Sequence, residues 1–364
     1  MKKDNILIVS NTFYNLFNFR YSLIKYLHKN YKTILLASAD NYVKHFNRLG
    51  IENKIVNFSS RDYNIFNNFK TLYFFKQFIE KNKIDTVISF TIKPNLFFCI
   101  LKIFFKYKLI VTISGLGGVY LNKSILNKII FFIYLSLLKN ANYIFCHNKH
   151  DKKLLINKNK KLNKKTFTVH GSGINFERYK YSPIVFKKKI SFLLPARIIR
   201  EKGILEYIDA AKKITYLYPN VVEFSIIGSR YKNSKFDKIF QKKISSSPIK
   251  FRDHVKDIRP YIKNCSCIVL PSYREGLSKI ILESLAIGRP IITTNEPGCS
   301  DLVINGYNGY LIKSKSSISL FNALEKFIKL PNTTKNKFSK NSRDFSINFN
   351  EETVIDNYLK QIEK

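Results

Sequence analysis

The sequence predicts an α/β protein made of two doubly wound parallel-sheet domains with a cleft between them. Three observations lead there. Short apolar runs of strand length alternate with longer stretches of helical periodicity along the whole chain. The alternation stops at residues 178–189, which carry Pro183 and a cluster of lysines, and restarts at Ile190. Glycines stand at several strand-to-helix junctions, where open sheets of this kind bind ligands. The expected division is residues 1–180, residues 181–349, and an amphipathic tail helix over 350–364 packing across both domains. At 364 residues the chain has the length of two ordinary domains.

In chain order, residues 6–9 read as a buried strand, 10–16 as a loop and 17–27 as a helix. Strands follow at 33–38 and 54–58 around a helix near 43–49, then a helix over 66–81. Residues 86–90 and 109–113 are strands flanking a helix at 95–105. A helix at 125–139, a strand at 143–146, a short helix at 149–156, a lysine-rich loop at 158–165 and a strand at 166–170 complete the first domain. The second begins with a strand at 190–195 and a helix at 203–217. Strands at 222–227 and 249–252 enclose a helix near 236–245. A short helix at 257–264 precedes the apolar run at 267–272. The helix at 280–287 is closed by Gly288, with Pro290 beyond it. A strand at 290–293, a helix starting at Ser300, a strand at 309–312 and a helix at 317–330 finish it.

Composition narrows the function classes. Lys+Arg number 63 against 25 Asp+Glu, a net charge of +38, and residues 1–180 carry +23 of it. Such charge suits nucleic acid or an anionic membrane surface, and it is equally the residue drift of an AT-rich genome. No recognisable nucleic-acid-binding module accompanies it, so nucleic acid is not expected as a partner. The five cysteines fit neither a disulfide framework nor a zinc site, which points to a reduced compartment. No Asp-x-Asp and no His/Glu cluster with ligand spacing is present, so neither metal nor cofactor is expected. The apolar run at 129–138 is too short to span a bilayer. Phe97, Phe98, Phe104 and Phe105 with Lys102, Lys106 and Lys108 give a mix that suits lying on one, or else a core helix with solvated lysines.

The chemistry-bearing stretch is Arg274-Glu275-Gly276-Leu277-Ser278-Lys279, running into the helix that carries Glu283. A strand, a glycine turn and a helix start place unpaired amides and the positive end of a helix dipole together, a fit for phosphate. Glu275 in the turn and Glu283 two turns into the helix are too separated for an acid/base dyad. They suit two grips on different hydroxyls of one phosphate-bearing ligand. Arg197 and Lys202, at another strand end, supply cations for a diphosphate. In the first half, Gly115, Leu116 and Gly117 form a loop that lets backbone approach a ligand, or a plain glycine-rich turn.

These motifs resemble the retaining glycosyltransferases of family 4, whose GT-B fold pairs two Rossmann-like domains. The resemblance is carried by Ala196-Arg197 with Lys202-Gly203, by Glu275-Gly276 through Glu283, by Gly288-Arg289-Pro290, and by Asn305-Gly306-Tyr307-Asn308-Gly309. Ser114-Gly115-Leu116-Gly117 and Gly171-Ser172-Gly173-Ile174-Asn175 extend it to the first half. Within the family the chain is similar to bacterial N-acetylgalactosaminyltransferases that extend undecaprenyl-diphosphate-linked sugars. The resemblance implies a UDP-sugar donor, a lipid-linked acceptor in O-antigen, capsule or glycoprotein glycan assembly, and a peripheral place on the inner face of the cytoplasmic membrane. It implies that Arg197 and Lys202 hold the diphosphate and that Glu283 takes the ribose hydroxyls. It gives Glu275 the donor sugar and the amides of Gly276, Leu277, Ser278 and Lys279 the phosphates. Gly115 to Gly117 would close over the donor, and Asn18 and Arg20 would reach a donor or acceptor phosphate. Many relatives have a histidine where Ser114 stands here, and His147 and His170 read as structural or loop residues, so no general base is assigned. A non-hydrolysing UDP-sugar epimerase of the same fold and, from charge alone, a nucleic-acid-binding protein are the competing readings.

Overall fold

The structure is a computed structural model that describes residues 4–56, 64–116 and 124–364. Two compact units divide the chain: residues 4–172 with 351–364, and residues 173–350. The first unit opens with β1 (Asn5–Thr12), α1 (Phe13–Asn30), β2 (Lys32–Ser38), α2 (Val43–Arg48) and β3 (Glu52–Ile55). It continues through α3 (Ile65–Asn82), β4 (Thr86–Phe90), α4 (Ile92–Leu101), β5 (Lys108–Ile113) and α5 (Ile125–Leu137). It closes with β6 (Tyr143–Cys146), α6 (Lys149–Lys158) and β7 (Thr166–Thr168). The seven strands are all parallel, in the order β3-β2-β1-β4-β5-β6-β7.

Period-two alternation sends successive strand residues to opposite faces. Leu7, Val9, Val87, Leu109 and Val111 pack beneath α3, α4 and α5 through Phe75, Phe98 and Tyr134. Ile6, Ile8, Ile88, Phe90 and Ile110 pack beneath α1 through Leu16, Ile24 and Leu27. The tail, α13 (Glu351–Ile362), completes this second face with Val354, Tyr358 and Ile362, and the Tyr358 hydroxyl bonds Thr112 Oγ1 at 2.7 Å.

The second unit runs β8 (Ile190–Pro195), α7 (Ile204–Leu217), β9 (Val222–Ile227), α8 (Lys235–Ser245), β10 (Ile249–Arg252), α9 (Arg259–Asn264) and β11 (Cys267–Leu270). Then come α10 (Lys279–Ile287), β12 (Ile291–Thr294), β13 (Gly309–Ile312), α11 (Ser317–Lys329) and α12 (Asn332–Ser346). Its six parallel strands are ordered β10-β9-β8-β11-β12-β13. Both sheets therefore reverse direction beside their first strand, at β1/β4 and at β8/β11, which is where such sheets bind ligands.

Several expectations need correction. The loop expected over 10–16 is absent: β1 runs to Thr12 and α1 starts at Phe13. Thr12 is its N-cap, accepting a hydrogen bond from the Asn15 amide at 3.1 Å. The helix expected at 95–105 begins at Ile92 and ends at Leu101. The lysine-rich loop at 158–165 contains the end of α6 and a 3₁₀ turn, Lys160–Lys165, that buries Leu162. Residues 178–189 are fastened to the second unit. The Ser182 amide donates to Ile287 O, Arg289 donates to Ser182 O, and Tyr179 and Ile184 are buried. At Ser300 the helix is a single 3₁₀ turn, Ser300–Leu302. Helix α12 stands where apolar periodicity predicts no element.

Candidate functional site

The C-terminal edge of the second sheet at β8/β11 gathers most of the expected site. β8 delivers Ala196 and Arg197, and a 3₁₀ turn, Arg200–Lys202, leads through Gly203 into α7. β11 delivers residues 271–278, which end on α10. The two loops lie against each other. Gly203 has φ +67°, and a Cβ there would stand 2.2 Å from Pro271 O, so only glycine fits. The Tyr273 amide donates to Glu201 O at 2.8 Å. A third loop, after β12, is held as closely: a Cβ on Gly298 would meet Glu275 O at 2.3 Å.

This packing brings Lys202 and Glu275 together. The ammonium pairs with Glu275 Oε1, and both side chains are mostly buried. The Glu275 amide is fixed by Pro297 O at 3.0 Å. Arg197 is exposed, and its guanidinium donates to the Tyr231 hydroxyl at 3.2 Å. Ser278 caps α10 without a side-chain cap bond, so the helix start keeps its positive end uncapped by side chains. The Ser278 amide itself donates to Gly298 O at 3.1 Å, which removes it from the phosphate-binding amides expected of residues 276–279. Gly276, Leu277 and Lys279 flank it in the same turn.

Glu283 sits in the second turn of α10, buried to 7% exposure. Tyr179 donates its hydroxyl to Glu283 Oε1 at 2.7 Å, and Lys279 Nζ lies 3.9 Å from the same oxygen. Burial pushes the Glu283 carboxyl above its ordinary value; Lys279, the Tyr179 hydrogen bond, Arg178 and Arg259 pull it back. The sequence carries no local signal for Tyr179, which lies in the stretch that reads as a linker.

In the first unit, Arg20 lies 3% exposed under the strand ends of the other sheet. Its guanidinium stacks 4.3 Å over Phe90 and donates to His147 Nε2 at 3.0 Å, Ser114 Oγ at 3.3 Å and Gly171 O at 3.5 Å. Because an arginine only donates, His147 accepts at Nε2 and carries its proton on Nδ1. Burial and then Arg20 hold the His147 pKa well below its usual range, so the ring is a neutral acceptor. Asn18 donates to Tyr14 O at 3.0 Å one turn away. Gly115 has φ +145°, and the buried Leu116 amide donates to Asp151 Oδ2 at 3.3 Å. Gly117 lies outside the described residues.

Residues 175–345 match the family model described as glycosyl transferases group 1. This region is a group 1 glycosyltransferase domain. The protein is a glycosyltransferase of the GT-B type and belongs among the hexosyltransferases. It is 23% identical over 368 residues to the N,N'-diacetylbacillosaminyl-diphospho-undecaprenol alpha-1,3-N-acetylgalactosaminyltransferase of Campylobacter jejuni, with 95% of each chain covered. It is 30% identical to the capsular polysaccharide biosynthesis glycosyltransferase CapM of Staphylococcus aureus over 46% of this chain and 47% of that one. The Anabaena Alr3699/HepE structure in complex with UDP and glucose superposes with a TM-score of 0.83 at 14% identity, covering 99% of both chains.

The glycosyltransferase domain thus contains Arg197, Lys202 and Glu275, on the loops beyond the two strands that flank the sheet's reversal, and Glu283 on α10. A cation paired to one carboxylate, a second cation open to solvent and a helix start without a side-chain cap bond are the chemistry an anion would need at this edge. Among the described residues no group of three or more His, Cys, Asp or Glu is placed to hold a metal.

Proposed function

We propose that this glycosyltransferase transfers a hexose or N-acetylhexosamine, N-acetylgalactosamine as the best single choice, from a UDP-sugar to an undecaprenyl-diphosphate-linked saccharide. The anomeric configuration is retained. The product enters O-antigen, capsule or glycoprotein glycan assembly. The observation that carries this reading is the anion-binding edge at β8/β11, in a chain similar end to end to a transferase named for such an acceptor.

In this reading the second unit takes the nucleotide sugar and the first the acceptor. As the bond between anomeric carbon and phosphate oxygen breaks, negative charge grows on the departing diphosphate. Arg197, Lys202 and the start of α10 stabilise it electrostatically, with no reorganisation at the moment of reaction. Glu275 holds Lys202 in place before the donor arrives and then contacts the sugar. Glu283 accepts the ribose hydroxyls. Attack comes from the face the diphosphate leaves, and a donor phosphate oxygen takes the acceptor proton, so no separate base is needed.

A peripheral position on the cytoplasmic face of the membrane goes with this acceptor. Among the described residues no helix is long and apolar enough to cross a bilayer. Of the residues first considered for lying on one, Phe97 and Phe98 are buried and Lys108 donates to Ile362 O at 2.5 Å, while Phe104 and Lys106 are exposed. The neighbouring helices do present apolar faces outward. On α3 these are Phe66, Phe69 and Tyr73, with exposed Lys70 and Lys76. On α5 they are Ile125, Ile129, Phe132 and Ile133, with exposed Lys128.

The test is transfer from a panel of radiolabelled UDP-sugars into lipid-linked saccharide, using the full chain with acceptor-bearing vesicles. Lys202→Ala and Glu283→Ala should each lose transfer at least a hundredfold while the protein stays folded. Near-normal transfer in either variant sinks the site assignment, and UDP release without labelled lipid sinks the acceptor.

A further inference from the structure

The Tyr179 hydroxyl has no part in the reaction just described, yet it touches the carboxylate assigned to the ribose. A carboxylate that grips a vicinal diol needs both oxygens turned toward the ligand, because each hydroxyl donates to one of them. A free glutamate side chain on a helix rotates about its last torsion, and holding it still costs entropy. In Glu283 that rotation is restrained. Oε1 receives the Tyr179 hydrogen bond at 2.7 Å and has Lys279 Nζ at 3.9 Å, whereas Oε2 makes no hydrogen bond to any described residue. Tyr179 is itself closely packed. It is 6% exposed, it packs in the same apolar cluster as Leu282, Leu285 and Ala286 of α10, and its amide donates to Asn175 O at 3.0 Å.

We propose that Tyr179 is a positioning residue for donor binding: its hydroxyl fixes the rotation of the Glu283 carboxylate for the diol of a nucleoside diphosphate. This rests on the reading of Glu283 as the ribose ligand. One lone pair of Oε1 is spent on the phenol, and the other, with Oε2, serves the two ribose hydroxyls. The phenol is suited to this. Burial first, then the adjacent Glu283 charge, push its own pKa far above the usual range, so it stays a donor at every working pH. The charged groups around the carboxylate are Lys279 on its own helix, Arg178 beside Tyr179, and Arg259 on α9, which is itself paired with Asp257 at 2.8 Å. None of these sets the rotation of the carboxylate as a 2.7 Å hydrogen bond from a buried ring does.

The experiment is calorimetric titration of the full chain with UDP and with 2',3'-dideoxyuridine diphosphate, for wild type, Tyr179→Phe and Glu283→Gln. Tyr179→Phe keeps the packed ring and removes only the hydroxyl. It should weaken UDP about tenfold, the scale of one hydrogen bond to a charged group, while binding the dideoxy analogue as wild type does. At saturating donor its kcat should stay within about twofold of wild type, because the bond acts on binding. Losing a hydrogen bond to the anion raises the Glu283 pKa, so the acidic fall in UDP affinity should move to higher pH. UDP binding equal to wild type in Tyr179→Phe overturns the proposal, as does an equal penalty on the dideoxy analogue. If Glu283→Gln also binds UDP normally, the ribose reading falls and the proposal with it. A loss in Glu283→Gln without one in Tyr179→Phe overturns the proposal alone.

Discussion

The two sheets reverse direction at matching places and furnish those places differently. In the second unit the reversal at β8/β11 carries charges in partnership: Lys202 with Glu275, and Glu283 with Tyr179 and Lys279. In the first, the reversal at β1/β4 carries a buried guanidinium whose polar partners are neutral: His147, Ser114 and Gly171 O. The residue that opens the helix after the fourth strand also differs. Ser278 has an ordinary extended backbone at φ −70°, while Thr91 stands at φ +71° with its hydroxyl buried and unbonded. One edge holds its charges in pairs, and in the function proposed above an arriving anion would exchange partners with them. The other ties a buried guanidinium to neutral partners beside a β-branched residue held at positive φ, which costs backbone strain.

Mutations sharpen that contrast. Arg20→Ala should be the most damaging to stability, by about 3 kcal/mol or more, because it strips a buried hub from three partners. Thermal melting checks it. Arg197→Ala, by contrast, should cost under about 0.5 kcal/mol of stability and at least tenfold in transfer. Equal melting losses for the two arginines would erase the distinction. Gly203→Ala should destabilise by about 2 kcal/mol, since Pro271 O occupies the space of a Cβ and φ is positive.

Smaller effects follow. Thr91→Gly should raise stability by about 1 kcal/mol by releasing its strain, net of the added chain entropy. No rise in melting temperature would mean that the strain is not there. Glu283→Gln should melt higher than wild type near neutral pH. A carboxyl whose folded pKa is raised is favoured protonated, so it costs stability as pH rises through that folded value. At about pH 3, below the ordinary carboxyl value, the two proteins should melt alike.

Much of this was legible from residues. The apolar strand runs, the αL glycine Gly288 closing α10, and the Lys202/Glu275 loops were visible because each follows a local rule. What escaped did so for physical reasons. α12 buries Lys335, Phe338, Ser339, Ser342 and Ser346. The spacing is helical, but the buried face is mostly hydroxyl, satisfied by bonds such as Ser339 Oγ to Gly288 O at 2.6 Å. A search for apolar periodicity cannot see it. Tyr179 was hidden because its value lies in a contact 104 residues away, inside a segment whose proline and lysines read as a connector. The Thr12 cap stands as Thr-x-x-Asn, without the Glu or Gln that would mark a capping box among the neighbouring polar residues.

The return of α13 to the first unit makes that unit discontinuous. Val354, Tyr358 and Ile362 fill one face of its sheet, so a nascent chain emerging from the ribosome holds an unfinished first core until residues 351–364 have been made. Folding of the first unit therefore joins segments from opposite ends of the chain, and one apolar face of its sheet stays uncovered until the segment that seals it has docked.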